Sequence, residues 1–165
     1  MQSFMLFINL KLTKNKVFRL AAVLLVALLV VIGILCNFKA KQISGQDALS
    51  REAYLNSLGY SLEKGSEEKT LITIPEDFSK TYAEYNKKQI SSGFNLSDYK
   101  GCDATVYTYL LSNFETRDGV WANLIVIDGK IVGGDISTTE NGGFILPLKT
   151  YEENQKILKT YVTTT

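Results

Sequence analysis

The residues with the most chemical promise surround Gly133-Gly134-Asp135, two glycines and a carboxylate inside the most strand-like part of the chain. Glycine weakens a strand through lost entropy, so its presence there marks a bulge or a close approach by another group. Two explanations stand. Either the strand bulges, or makes room for a helix residue such as Tyr82 or Tyr85 to lie on the sheet, or the glycine backbone floors a groove with Asp135 at its edge. In the second case Tyr107 and Tyr109 come from a neighbouring strand, Asn123 lies opposite Gly134, and Asn86 sits on the helix above. Aromatic walls with a few polar groups would suit an extended peptide or glycan segment. At such a groove edge, Asp135→Ala would change stability by no more than about 1 kcal/mol.

Composition narrows the chemistry. The 165 residues contain no histidine, which removes Ser-His-Asp and Cys-His catalysis, imidazole metal sites and imidazole pH sensing. Carboxylates, lysines, tyrosines and hydroxyls remain, and two carboxylates about 5 to 9.5 Å apart are enough to hydrolyse a glycosidic bond. No catalytic residue, metal ligand or cofactor is identified. The two cysteines, Cys36 and Cys102, are poorly placed to bridge each other. A lone cysteine such as Cys102 is expected as a small buried hydrophobe.

The elements that would position these residues can be read in order. Asp47 caps a helix running to Leu58, with Ala48, Tyr54, Leu55 and Leu58 at helical spacing and Gly59 as its stop. Short strands are expected at 60–63 and 69–74 around Lys64-Gly65-Ser66. Pro75 opens a second helix, residues 76–91, whose stripe Phe78, Tyr82, Tyr85 and Gln89 reads as core. Residues 94–101 form a loop tucked down by Phe94, Leu96 and Tyr99, with a single helical turn starting at Ser97. Strands follow at 104–114, 120–127 and 130–138. Asp128-Gly129 supplies the positive φ values of a type I′ hairpin turn. Pairing across that turn sets Ile125 against Val132, Asn123 against Gly134 and Trp121 against Ile136. Both faces of the hairpin are largely apolar, which places it centrally with cover on both sides. Turns are expected at 115–119 and 141–143, and residues 151–161 read as a polar terminal helix.

All of this follows an apolar run from Leu20 to Cys36, seventeen residues holding twelve Leu, Val or Ile and no charge. A helix over 17–38 would span roughly 33 Å, enough for a hydrocarbon core of about 30 Å. Those twelve residues favour insertion by on the order of 4 to 7 kcal/mol. The run is longer than a typical signal h-region, and Phe38 and Ala40 make a poor cleavage pair. Leu35 stands where a lipidated cysteine needs a small residue, so Cys36 is not read as a lipoprotein site. A retained anchor is expected. Lys11, Lys14, Lys16 and Arg19 precede it, against Lys39 and Lys41 after it, which places the N-terminus in the cytoplasm and the C-terminal domain outside.

Of 18 Lys and Arg, four precede the span, leaving 14 against 17 Asp and Glu. The outer domain is therefore slightly acidic and has no electrostatic reason to bind nucleic acid. An outward-facing domain without disulfides fits a bacterial surface better than a secreted eukaryotic module. The expected organisation is a short basic cytoplasmic tail (1–16, with Met1 or Met5 as its start), a transmembrane helix (17–38), a linker (39–45), an extracytoplasmic domain (46–150) and a polar C-terminal tail (151–165).

Several blocks resemble a known family. They are Tyr85-Asn86; Gly93-Phe94, Leu96 and Tyr99-Lys100-Gly101; Tyr107-Thr108-Tyr109; Val120, Ala122-Asn123-Leu124 and Val126; Gly133-Gly134-Asp135; and Gly142-Gly143-Phe144. Together, over roughly residues 51–148, they are similar to a family of small uncharacterised proteins of Gram-positive bacteria, a domain of unknown function behind one N-terminal membrane segment. Where that pattern carries Asp after Gly-Phe, this chain has Asn95. The resemblance implies an anchored domain and supplies no catalytic residue.

The resulting expectation is an α+β domain, an antiparallel sheet of about five strands packed with two or three helices, behind one N-terminal transmembrane helix in the cell membrane. Its function reads as a non-enzymatic binding or protein-interaction module at the bacterial cell envelope, with an unknown protein or envelope ligand as partner. The alternative is a carboxylate-dependent hydrolase of cell-wall glycan or peptide. A third reading, an accessory subunit pairing through its membrane helix, is disfavoured because the span holds only Gly33 and no GxxxG.

Overall fold

The structure, a computed structural model, describes residues 23–26, 42–114, 119–138 and 143–163. Two compact units divide between Lys41 and Gln42. In the first, residues 23–26 are helical and exposed. The rest of the expected membrane span and its basic tail lie outside the described residues. Among the described residues, no helix is long and apolar enough to cross a membrane.

The second unit is an α+β fold. In chain order it comprises β1 (Ile43–Ser44), α1 (Ala48–Ser57), β2 (Glu68–Thr73), α2 (Lys80–Ser91), a 3₁₀ turn (Leu96–Tyr99), β3 (Asp103–Leu110), β4 (Val120–Ile127), β5 (Lys130–Thr138), β6 (Ile145–Pro147) and α3 (Tyr151–Thr163). The six strands form one antiparallel sheet in the order β1-β5-β4-β3-β2, with β6 also on β5.

Local chemistry explains most boundaries. The Asp47 carboxylate accepts from the Ser50 amide at 2.7 Å, satisfying one of the orphan donors of α1. Helix α2 begins at Lys80 rather than 76, because the Ser79 hydroxyl accepts from the Tyr82 amide at 3.2 Å and caps the helix there. The 3₁₀ turn is capped by Asn95, not Ser97; the Asn95 side chain accepts from the Ser97 amide. The hairpin turn has φ of 49° at Asp128 and 70° at Gly129, as a type I′ turn requires. The strand expected at 60–63 is reduced to a bridge between Leu62 and Leu111. Cys102, expected inside, is exposed. Of the expected turns, residues 115–118 and 139–142 lie outside the described residues.

Alternation along β4 separates two cores. Ala122, Leu124 and Val126 face α1 and α3, packing with Leu55, Tyr109, Ile136 and Leu148. Ile125 faces α2, joining Ile74, Leu96, Ala104 and Val132 beneath Phe78, Tyr82 and Tyr85. Those three aromatics pack in a row with tilted and edge-to-face rings, centroids 4.6 and 5.8 Å apart, and lie against the core as their spacing predicts.

Two boundaries move. Residues 43–44 of the expected linker pair with β5, so the domain begins at about Gln42. The expected polar tail at 151–165 holds α3, which belongs to the domain. Tyr151 closes an aromatic group with Tyr60 and Phe114, and Ile157 and Leu158 pack on the core. Asn154 is fully buried, donating to the Tyr60 hydroxyl at 2.8 Å and the Pro147 carbonyl at 2.9 Å. A single polar residue in the buried stripe disguised the helix as solvent-facing.

Candidate functional site

The conflict at Gly133-Gly134-Asp135 resolves as a bulge. Val126 pairs with Ile131, but Ile125 pairs with Gly133, so Val132 is the extra residue. Everything beyond it shifts by one. Asn123 therefore lies opposite Asp135 rather than Gly134, Trp121 opposite Ser137, and Ala122 opposite Ile136.

A close backbone approach requires glycine at 134, while 133 is tightly hemmed by side-chain ends. A Cβ on Gly134 would lie 2.4 Å from the Asn123 carbonyl oxygen, and one on Gly133 would lie 3.0 Å from Gln89 Oε1 and from Leu96. The group admitted is Gln89 of α2, not Tyr82 or Tyr85. Its Oε1 accepts from the Gly134 amide at 2.8 Å, occupying a backbone donor in the bulged strand.

Next to the bulge, one face of the sheet carries a connected polar layer. The Tyr85 hydroxyl donates to Asp135 Oδ2 at 2.7 Å, and Asn123 Nδ2 donates to Asp135 Oδ1 at 2.8 Å. Asn123 Nδ2 also donates to Ser137 Oγ at 2.9 Å, while Asn123 Oδ1 accepts from the Thr108 hydroxyl at 3.0 Å. Asp135 is only 7% exposed. Burial raises its carboxyl above the ordinary aspartate range, opposed by the hydrogen bonds from Tyr85, Asn123 and Ser137. Tyr85 is likewise pushed far up, first by burial and then by the Asp135 charge. Trp121 shares this face by alternation with Asn123 and is half-buried.

The five residues expected at one site are divided. Asn123 and Asp135 meet as described. Asn86 turns to the loop instead, donating to Asn95 Oδ1 and Ser97 Oγ, each at 3.0 Å, and accepting from the Leu96 amide at 2.8 Å. Tyr107 and Tyr109 lie on the opposite face, because odd positions of β3 point to α1. There Arg51, 4% exposed, stacks 3.5 Å over the Tyr107 ring and donates to the Tyr109 hydroxyl, the Gly45 carbonyl and Glu67 at 2.8, 2.8 and 2.9 Å. The Tyr109 hydroxyl donates to the same Glu67 oxygen. Burial alone would raise Glu67, but the hydrogen bonds from Tyr109 and Arg51 hold it below the usual glutamate range. Arg51 sits at the helical spacing of Tyr54, Leu55 and Leu58, and a cation on an apolar stripe is the signal that marks a buried pair. Tyr85, Gln89, Thr108 and Ser137 have no comparable marker, since their role depends on the shifted register.

Each of the two clusters spends its charge internally. Every nitrogen of the Arg51 guanidinium donates, and the groups bonded to Asp135 are all neutral. Among the described residues no group of three or more His, Cys, Asp or Glu could hold a metal ion. No protein-family model, curated protein or solved structure matches this chain.

Proposed function

We propose that this protein is a non-enzymatic binding module of a bacterial cell envelope, held outside the membrane by the run from Leu20 to Cys36. Its resemblance to small anchored proteins of Gram-positive bacteria and the four-to-two excess of basic residues before the run belong to the same reading. One observation carries the choice of binding over hydrolysis. The buried carboxylate Asp135 is surrounded by neutral donors, and the partly buried Glu67 serves the opposite face of the sheet. Bond cleavage by two carboxylates needs both in one cleft; the sheet separates these two, and Asp103 and Asp128, which do share a hollow, are both exposed surface groups.

The ligand face is the half-buried shelf of Thr108, Trp121, Asn123 and Ser137. Its polar groups are already fixed in place by one another through Asn123 and by Asp135 beneath. A half-buried indole beside preorganised amide and hydroxyl groups suits the flat face and hydroxyls of a sugar ring, or the backbone of an extended peptide. Pelleting of the full-length protein with purified cell walls tests this reading. Wild type should co-sediment, and Trp121→Ala should remain in the supernatant while still folded. Equal sedimentation of the two would remove the shelf from the account. Protease applied to intact protoplasts tests placement: digestion from about Lys39 onward is expected, and full protection would put the domain inside.

A further inference from the structure

We propose that the outer edge of β2 is the seam of a homodimer, two copies pairing antiparallel to join their sheets. The two edges of the sheet are treated differently. On β5, β1 covers positions 130–131, β6 covers 135–137, and the bulge interrupts what remains. Among the described residues nothing pairs with the outer side of β2. That strand has no proline and no bulge, and its stretch Thr70-Leu71-Ile72-Thr73 is uncharged and largely β-branched. Such an edge invites another strand unless it is occupied.

Backbone direction fixes which groups are free. The Ile74 amide donates to the Cys102 carbonyl, and the Gly101 amide donates to the Ile74 carbonyl, both at 2.9 Å, so Ile74 points inward to β3. By alternation Ile72 and Thr70 also point inward, while the amides and carbonyls of Lys69, Leu71 and Thr73 point out. An antiparallel two-fold pairing through these groups sets Leu71 on its own copy and Lys69 on Thr73. Leu71, at 82% exposed the most exposed large hydrophobic residue among those described, then packs on itself across the axis.

Charge selects this register and a second copy as the occupant. Centring the axis on Lys69 would place two lysines directly opposite, which destabilises a strand pair. Centring it on Leu71 brings Lys69 beside Thr73, whose hydroxyl donates to Asp103 at 2.8 Å. Lysine and aspartate are then two strand spacings apart, about 10 Å, which their side chains together bridge. Asp103 and Asp128 both line a hollow of about 490 Å³ whose wall includes Leu71, Thr105 and Val126, so Lys69 of the other copy meets an acidic surface. Two-fold symmetry makes this contact twice. A foreign strand would take the backbone bonds but has no reason to bring the lysine.

Cross-linking of the full-length protein in detergent decides it. In a background with Cys36→Ser and Cys102→Ser, Leu71→Cys should form a covalent dimer on mild oxidation at least tenfold faster than Leu49→Cys or Ile90→Cys, both on exposed helix positions. Rates equal to those controls would overturn the proposal. So would an adduct, in membranes of expressing cells, of any mass other than twice the chain, which would assign the edge to a foreign strand. Because the Leu71 amide points outward, Leu71→Pro removes one bridging donor without touching the β3 ladder. Light scattering should give a dimer for wild type and monomers for Leu71→Pro and, with the backbone unchanged, Leu71→Glu. A monomeric wild type at high micromolar concentration, or dimeric variants, would refute the seam.

Discussion

Replacing Asp135 by alanine removes the acceptor for the Tyr85 hydroxyl, the Asn123 amide and the Ser137 hydroxyl, all buried or half-buried. A buried donor left without a partner costs about 1–3 kcal/mol. Asn123 keeps Ser137 as acceptor at 2.9 Å, so most of the loss falls on Tyr85, which is half-buried with its ring against Tyr82. Against this, the carboxylate no longer has to be desolvated. The expected net loss is about 2–4 kcal/mol, well above the value of at most about 1 kcal/mol that a groove-edge residue would give. Trp121 is the only tryptophan, so urea unfolding of the full-length protein can be followed by its emission. With m near 2 kcal/mol/M for a domain of this size, the midpoint should fall by about 1–2 M. A fall below about 0.5 M would show that Asp135 does not hold the bulge in place, and the preorganised shelf would lose its support.

Four further outcomes are expected. Gly134→Ala forces a Cβ to 2.4 Å from a backbone carbonyl and should cost at least 3 kcal/mol, roughly the upper range for overpacking, whereas Gly133→Ala meets the adjustable end of Gln89 and Leu96 and should cost about half that in the same denaturation assay. Arg51→Met strips three hydrogen bonds and the stack on Tyr107 and should cost about 2–4 kcal/mol, discounted because Glu67 is partly open to solvent. A stop codon after Thr150 removes α3 and uncovers Tyr60 and Phe114, so circular dichroism should show an unfolded or molten domain; a native spectrum would return 151–165 to the status of a tail. The folded Asp135 carboxyl titrates above its unfolded value of about 3.9, so its stabilising contribution is complete below that value and is lost as pH rises through the folded one. The stability advantage of wild type over Asp135→Asn should therefore shrink from pH 3 toward pH 7, and a widening gap would contradict the burial of this group.

Turn and cap chemistry was legible at some positions and not at Ser79 or Asn95, whose caps lie away from the starts expected at Pro75 and Ser97. Asp128-Gly129 specified its hairpin and Asp47 its helix because each acts through its own backbone and its nearest neighbours. Register was not legible. The glycine pair announced a bulge without saying which residue was extra, and a slip of one at Val132 exchanged the partner of Asn123. The division of the site followed from the same gap. Tyr107 and Tyr109 alternate clearly, but with both faces of the sheet apolar, the pattern could not say which face α2 would cover. Asn86 lay on the expected helix, yet the loop capped by Asn95 turned its amide away from the sheet. Arg51 and Asn154 each sit on an apolar helical stripe, which hints at burial, but the partners that satisfy them, Tyr109 and Glu67 for one and Tyr60 for the other, are distant in the chain and could not be read from it.

The most direct test of the binding account uses the same tryptophan. Full-length protein titrated with soluble cell-wall glycan fragments and with extended peptides should show a saturable change in Trp121 emission for one of the two classes, with no release of new reducing ends or amines. Ser137→Ala and Thr108→Val, which alter the shelf without removing Asp135, should weaken that response several-fold. Unchanged emission with both classes, or a change accompanied by product, would contradict the account.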